Sequence, residues 1–436
     1  MIKTSEIWVD EEGSALSSVL IISVIILTFI GAILSGVLLQ ARFIQRDINQ
    51  TKAIYAAEQQ VFEYLNNPEI LHPAIQTNFL NGFERVQSKA TVGHATVTIQ
   101  ALVGETTTLP FQLSTVVLDS RNTLTLTGNT TLKGDFSISN NDITTSSFRG
   151  FPFRGTLEGS PAKDTVVVAL DYAKYQKKYE AYKALFEEAD LNRFQIKNQT
   201  PIQSQLAESD SDTLYISESL ELELGAEEQS EPITLIVEGN LLLSGAMKFP
   251  DFSEIIVSDS LAISGELKGN FIQIFAGDYL SISDDVQLSV QVISGGSIEV
   301  NDRAYVTYPS VLYSQKDAFA GGSRSAITIN DQSIVDGTIL FPIKPSLINQ
   351  EQLKVTVDTT ALVRGAIYTK GLTELFGSIH GTVITNQFYF YESPTSYFNW
   401  IKDATIDLTQ RPKEYVVPIG FSDSLRFKIL DWRIIE

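Results

Sequence analysis

The sequence has no cysteine among its 436 residues, and it is short of positive charge. Without cysteine there is no disulfide bond, no thiolate nucleophile and no cysteine-ligated metal, although the cellular compartment stays open. Lys and Arg number 32 against 52 Asp and Glu, which gives a formal net charge of −20. A chain this acidic is poorly suited to the polyanionic backbone of nucleic acid, so we expect no nucleic-acid partner.

Motifs that carry catalytic chemistry are also missing. The sequence has no Walker-type loop, no Gly-x-Ser-x-Gly and no His-x-x-x-His pair. His380 has no obvious partner in the sequence, and the adjacent Asp284 and Asp285 would point to opposite faces of a regular strand. We therefore predict that the protein is not an enzyme and that it has no cofactor and no metal site.

What the sequence does contain is a long uncharged stretch near its start. Ala15 to Leu39 carries no charged residue, and about 20 apolar residues in a helix are enough to cross a bilayer. The helical pattern then continues as a stripe of apolar residues at spacings of four and seven. This stripe comprises Ile44, Ile48, Tyr55 and Phe62, with Ile54, Val61 and Leu65 beside it. Because Pro68 cannot continue a helix, we predict a single helix over 14–66, transmembrane in its first half, after a leader at 1–13.

The start of this helix resembles the N-terminal segment of the type IV pilin superfamily, and most of all its PilX-type minor pilin branch. The pattern of that branch is roughly Gly-x-Ala-Leu, an apolar run and then Ala-Ala-Glu. The residues that match it are Gly13, Ala15, Leu16, Ala56, Ala57 and Glu58. The match covers about 55 residues, and it implies a subunit that assembles with other pilins or pseudopilins through its N-terminal helix.

The resemblance also implies N-terminal processing. A prepilin peptidase would cut after Gly13 and leave Ser14 as the mature N-terminus, with methylation as part of that processing. The fifth mature position, where major pilins carry Glu, is Ser18 in this chain, which favours a minor subunit. In the apolar run, Gly31 and Gly36 would allow neighbouring helices to approach closely.

The orientation in the membrane is predicted differently by two arguments. Lys3 stands among acidic residues in the leader, whereas Arg42, Arg46 and Lys52 follow the apolar run. The positive-inside rule would therefore place the large domain in the cytoplasm. The pilin resemblance implies the opposite orientation, from the inner (cytoplasmic) membrane outwards, and we follow the resemblance.

After the helix, the sequence changes to β-type patterns. Residues 70–118 alternate with frequent Thr and predict a small β region. From there on, short strands and glycines recur, and Leu243, Ile263, Ile282 and Val300 are spaced 20, 19 and 18 residues apart. A period near 20 is typical of a solenoid, in which each coil buries its apolar face against its neighbours.

We therefore predict a mainly β protein with a long N-terminal helix, in which 119–402 form a parallel, right-handed β-helix. Residues 171–190 have a tyrosine stripe at helical spacing and predict a helical insert with a packing face. Residues 403–436 are expected to cap the last coil. A β-sandwich is the alternative fold, because it too gives many short strands between turns.

These patterns favour a non-enzymatic, minor pilin-like subunit that displays a large β-solenoid at the cell surface or on a pilus. Two alternatives stay open at this point. The coils are similar in style to bactofilin-type polymerising β-helices, so the protein could be a membrane-anchored structural polymer. It could also be a surface adhesin that binds glycans along the solenoid.

Overall fold

The computed structural model describes residues 11–68, 73–119, 123–138, 142–162, 166, 168–187, 213–225, 231–316, 325–343, 351, 353–421 and 426–435, with only the backbone at 11–15. The chain divides into two compact units. The first unit comprises Met1–Gln76, Val86–Gln100 and Trp432–Glu436, and the second comprises Thr77–Arg85 and Ala101–Asp431.

The chain begins with a long helix and continues mainly as short strands. Its first part forms helix α1 (Glu11–Asn66) and strands β1 (Ile75–Leu80), β2 (Phe83–Val92), β3 (Ala95–Glu105), β4 (Thr115–Val117), β5 (Leu124–Thr127), β6 (Thr131–Lys133), β7 (Phe136–Ile138), β8 (Ile143–Thr145) and β9 (Thr156–Glu158). The middle part forms helix α2 (Ala173–Glu187) and strands β10 (Thr213–Ile216), β11 (Leu220–Leu224), β12 (Thr234–Val237), β13 (Leu241–Gly245), β14 (Glu254–Val257), β15 (Ser260–Ile263), β16 (Lys268–Ala276), β17 (Tyr279–Ile282), β18 (Gln287–Ser294) and β19 (Ser297–Val300). The last part forms strands β20 (Tyr305–Ser314), β21 (Ile327–Ile329), β22 (Ile334–Phe341), β23 (Lys354–Val357), β24 (Leu362–Thr369), β25 (Leu372–Leu375), β26 (Ser378–Thr385), β27 (Gln387–Glu392), β28 (Thr395–Phe398), β29 (Trp400–Lys402), β30 (Thr405–Asp407) and β31 (Phe427–Ile435).

In the first unit, the second half of α1 packs through small residues. Its buried side chains follow a strict four-residue spacing: Ala53, Ala57, Val61 and Leu65. Gln60 accepts a hydrogen bond from Ser88 Oγ of β2 at 2.6 Å. Residues four apart share one helix face, and alanines on that face let the helix lie close to the β-strands of this unit.

The apolar stripe of this half of α1 lies beside the buried face and not on it. Ile44, Ile48, Tyr55 and Phe62 are all exposed, from 42% for Ile48 to 66% for Tyr55. Phe62 does stack on Trp432 of β31, with ring centroids 6.1 Å apart. Val61 and Leu65, which flank the stripe in the sequence pattern, are the buried members of that pattern, and they share their face with Ala53 and Ala57.

The second unit is built on two large sheets with parallel ladders. One sheet, called the even-numbered sheet below, runs β10-β12-β14-β16-β18-β20-β22-β24-β26. The other runs β11-β13-β15-β17-β19-β21-β23-β25-β27. Consecutive strands therefore alternate between the two sheets. Each successive pair of strands adds one strand to each sheet. The ladders are parallel throughout these runs, so the alternative of an antiparallel β-sandwich is wrong.

The residues predicted to face inwards lie in register with one another. Leu243 pairs with Ile263, Ile263 with Ile282, and Ile282 with Val300. All four are fully buried in one apolar core. The period near 20 in the sequence is therefore the distance along the chain from one strand to its neighbour in the sheet.

A second apolar column lies on the other face of the even-numbered sheet. In register, it contains Tyr215, Ile236, Ile256, Phe275, Ile293, Tyr313, Leu340, Tyr368, Ile384 and Val116. These side chains belong to a second core, separate from the first, which includes Tyr175 and Tyr182 of α2. The sheet is thus buried on both faces, as parallel sheets usually are.

The structure has a helix within the range predicted for the insert. Helix α2 covers Ala173–Glu187 of the predicted 171–190, and the last three residues of that range lie outside the described part. Tyr175 stacks on Tyr313 with centroids 4.7 Å apart, and Tyr182 packs against Phe275 at 5.0 Å. The tyrosine stripe is therefore a packing face, as its spacing predicts.

The end of the ladders is made differently from the prediction. Beyond β26, the even-numbered sheet continues through β30 to β6 and β9, and also through β4 to β7. β4, β6, β7 and β9 therefore lie beyond β26 in this sheet, although they precede it in the chain, while β5 and β8 join β29 in a three-stranded sheet. The predicted cap at 403–436 instead supplies β30 to this sheet, while β31 joins a four-stranded sheet of order β1-β2-β3-β31.

Candidate functional site: the exposed apolar helix

The first half of α1 is an apolar surface without a covering layer in the described residues. Every side chain from Leu16 to Ile48 is exposed, and Leu16 and Leu27 reach 75%. Exposed apolar patches of this extent mark contact with a membrane or with other proteins. Among the described helices, α1 is the one long and apolar enough to cross a membrane.

The helix has the dimensions and the internal bonding that a bilayer requires. Leu16 to Leu39 would extend about 36 Å at 1.5 Å per residue, against a hydrocarbon core of about 30 Å. Its hydroxyl groups are bonded within the helix: Ser23 Oγ donates to the carbonyl of Val19 at 2.7 Å, and Thr28 Oγ1 to that of Val24 at 2.7 Å. This bonding removes the need for water around these polar atoms.

Gly31 and Gly36 leave two places on this surface without a side chain. A methyl group added at either glycine would meet no atom within 4 Å. At 100° per residue they lie about 140° apart around the helix, so they belong to different faces. Gly31 shares its face with Ser35, and Gly36 shares its face with Ala32, which gives two pairs of small residues at four-residue spacing.

The other predicted assembly residues divide into two groups. Gly13, Ser14 and Ala15 lie near the start of α1, which begins at Glu11, and their side chains are outside the described part. Ala57 is fully buried in its own unit, and Glu58 beside it is half-buried. Ala57 therefore packs inside this chain, and an assembly role for Ala57 and Glu58 stays a prediction.

Titratable groups of the second unit are tied into local networks. Arg364 donates from Nη2 to Asp336 Oδ2 at 2.6 Å and to the hydroxyl of Tyr305 at 2.8 Å. The hydrogen bond to Asp336 raises the pKa of Arg364. His380 pairs in register with Arg364, and burial lowers the pKa of its imidazole. These contacts join Asp336 and Arg364 of neighbouring strands, with His380 at the paired position on the next strand.

The adjacent aspartates lie in a turn and not in a strand. Asp284 has a φ of 60°, and Asp285 forms an exposed ion pair with Arg303 at 3.8 Å. Within the described residues, no group of three or more His, Asp or Glu side chains is placed to hold a metal ion.

Comparison with known proteins gives little beyond this geometry. No protein-family model matches the chain, and no curated protein matches it. Among solved structures, the chain is similar to the competence-associated pilin ComZ from Thermus thermophilus, at 11% identity over 89% of this chain and 98% of that chain. The TM-score is 0.23, so this likeness to a type IV pilin carries no structural or functional argument.

Proposed function

We propose that this protein is a non-enzymatic, membrane-inserted, pilin-like subunit that assembles with other pilins or pseudopilins. One observation carries the proposal: the exposed apolar half of α1 continues without a break into a half that is packed in the first unit. The apolar half would lie in the bilayer before assembly. It would then exchange lipid for equally apolar neighbouring helices, with the small-residue pairs at Gly31 and Gly36 as points of close approach.

We further infer that the second unit is a parallel β-solenoid displayed as a head. The support is the alternation of consecutive strands between two parallel ladders, each of which advances one place per coil. A head built on more than 300 residues would crowd a repeating filament, and Ser18 stands where major pilins have Glu. Both points favour a minor subunit at a tip or priming position.

The polymerising β-helix is the alternative from a different class, and the acidic terminal strand argues against it. In the described part of the second sheet, β11 is the terminal strand. Its exposed positions are Glu221 and Glu223, which alternate along the strand. Charges on an edge strand oppose the addition of another strand, so head-to-tail stacking at this edge is disfavoured. An adhesin role would be compatible with the pilin proposal, since the head would be at the cell surface.

The experiment that tests the proposal is mass spectrometry of the N-terminus of the membrane-extracted protein from its native host. We expect a mature chain that starts at Ser14, because a prepilin peptidase would cut after Gly13. Replacing Gly13 by Leu should keep the leader on, whereas the neighbouring Glu12→Gln should still be cut. A wild-type chain that starts at Met1 or Ile2 would contradict pilin-type processing and leave a plain anchor, with the large domain on the cytoplasmic side.

A further inference from the structure

A cleft opens in the first unit directly after the apolar half of α1. Its volume is about 720 Å³, and it lies between α1, the turn that joins β2 to β3, and the end of β31. The helix contributes Arg42 and Arg46, and the β2–β3 turn contributes His94. Ile434 and Ile435 of β31 complete the wall and are 51% and 38% exposed.

The cleft has the chemistry of an anion site with an apolar margin. Arg42 and Arg46 are four residues apart and therefore share one helix face. Within the described part of the chain, no carboxylate lines the cleft, although the whole chain has a net charge of −20. Guanidinium groups bind phosphate oxygens in pairs of hydrogen bonds, and the exposed isoleucines offer contact to hydrocarbon.

The position of the arginines along the helix indicates which kind of anion they would meet. Arg42 lies about 4.5 Å and Arg46 about 10 Å beyond Leu39 along the helix axis. Each headgroup layer of a bilayer is about 5–8 Å thick outside its hydrocarbon core. A helix that crosses the core with Leu16 to Leu39 therefore places Arg42 within the headgroup layer and Arg46 just beyond it. Because helix side chains tilt toward the N-terminus, the Arg46 side chain leads back toward the lipid phosphates.

We propose that this cleft binds the headgroup of an anionic phospholipid in the bilayer that α1 enters. This inference rests on the membrane insertion in the proposed function. The lipid phosphate would accept hydrogen bonds from Arg42 and Arg46, and its first acyl carbons would contact Ile434 and Ile435. The basic residues that follow the apolar run would then form a lipid site on the side of the large domain, and they would not report a cytoplasmic location for it.

Binding of short-chain lipids to the full-length protein in neutral detergent tests the proposal. The measured quantity is the ratio of dissociation constants for dioctanoyl phosphatidylcholine and dioctanoyl phosphatidylglycerol. Each basic residue near an anionic surface contributes about a fivefold gain in binding. Arg46→Gln should therefore lower the preference for phosphatidylglycerol about fivefold, and the double change Arg42→Gln with Arg46→Gln about 25-fold.

Lys52→Gln is the matched control, because it removes the same charge from the same helix outside the cleft. Lys52 lies about 20 Å beyond Leu39, further than the screening length of about 10 Å, so its loss should change the preference less than twofold. An equal loss for Lys52→Gln and Arg46→Gln would overturn the proposal in favour of diffuse attraction. Displacement of the lipid by 10 mM inorganic phosphate would overturn it in favour of a free-anion site.

Two further measurements distinguish a misfolded variant, a wrong lipid site and a wrong membrane function from one another. If the arginine variants do not fold, His94→Gln on the β2–β3 turn should still weaken phosphatidylglycerol binding, and unchanged binding would count against the cleft. Extraction of cell membranes at alkaline pH tests insertion alone. Release of the wild-type chain there would contradict the proposed membrane function, whereas a retained chain without lipid preference would contradict only the lipid site.

Discussion

At the scale of single residues, a column of glycines marks the closest approach between neighbouring strands of the even-numbered sheet. Gly337, Gly365 and Gly381 lie in register on β22, β24 and β26. A Cβ atom at Gly365 would come within 2.0 Å of the Gly337 carbonyl oxygen, and its φ of +148° is one that other residues rarely adopt. The obstructing atom belongs to the backbone of the neighbouring strand, so it cannot move aside by rotation of a side chain.

We therefore expect Gly365→Ala to lower the free energy of unfolding by at least about 1–3 kcal/mol, the usual penalty for a strained backbone alone. Gly225→Ala is the control, because a Cβ there meets no atom within 4 Å. Urea unfolding of the detergent-solubilised chain, followed by far-UV circular dichroism, measures both variants. Equal stability of the two variants would mean that the ladder adapts to a methyl group at this column.

Buried tyrosines predict how stability depends on alkaline pH. Burial raises the pKa of Tyr175, Tyr182 and Tyr415 above the ordinary value for tyrosine. Above about pH 10 the unfolded chain loses these phenolic protons while the folded chain keeps them, so the free energy of unfolding falls as pH rises. Each such group contributes up to about 1.4 kcal/mol per pH unit until its raised pKa is reached.

The pH effect is tested by urea unfolding between pH 8 and pH 11.5. Tyr182 donates to Glu254 Oε1 at 2.7 Å, and Tyr182→Phe removes both that bond and one proton. The variant should be less stable at pH 8 but should lose stability less steeply above pH 10. Tyr55→Phe, at a position 66% exposed, should keep the wild-type slope. Identical slopes for all three proteins would show that Tyr182 does not contribute.

At the scale of elements, the docking of α1 in the first unit depends on the alanine face. Ala57 is fully buried, so Ala57→Leu adds three carbon atoms where no space exists. Overpacking of this kind lowers the free energy of unfolding by about 1–3 kcal/mol. We expect faster amide hydrogen exchange over residues 53–65 in this variant. Ala41→Leu makes the same change at an exposed position and should leave the exchange unchanged.

The elements that the sequence predicts well are those with a long-range period. The spacing of Leu243, Ile263 and Ile282 identifies neighbouring strands because these residues pair in register in one parallel ladder. The exposed half of α1 is also predicted well, because a long run without charged residues identifies it by composition alone. The docking face of the second half of α1 is predicted only in part: the apolar pattern includes Val61 and Leu65, but it gives no weight to Ala53 and Ala57, which are buried with them.

Two features could not be read from the sequence for a different physical reason. β4 to β9 are three or four residues long, and such short strands carry no information about which strand they will pair with. The place of β4, β6, β7 and β9 beyond β26 and β30, and that of β5 and β8 beside β29, is therefore a tertiary property. The cleft at Arg42 and Arg46 joins residues almost 400 positions apart in the chain, so the prediction from sequence missed it. The one signal that could have indicated it is the arginine pair at four-residue spacing after the apolar run.

At the scale of the whole molecule, the apolar half of α1 is exposed and makes no contribution to the buried core among the described residues. No side chain from Leu16 to Ile48 is buried among the described residues, whereas burial begins with Ala53. Removing the apolar half should therefore leave both compact units intact. It should also remove the surface that drives the chain into membranes, because about 20 apolar residues are needed to span a bilayer.

We expect a chain that starts at Arg42 after an initiator methionine to be recovered from the soluble fraction. Its far-UV circular dichroism should keep the β signal, and its thermal midpoint should lie within about 5 °C of the detergent-solubilised full chain, since a difference of 1 kcal/mol corresponds to about 2–4 °C for chains of 150–250 residues. The full-length chain, expressed in the same cells, should remain with the membranes at alkaline pH. Aggregation of the shortened chain, or loss of its cooperative transition, would mean that the apolar half of α1 supports the fold as well as membrane insertion.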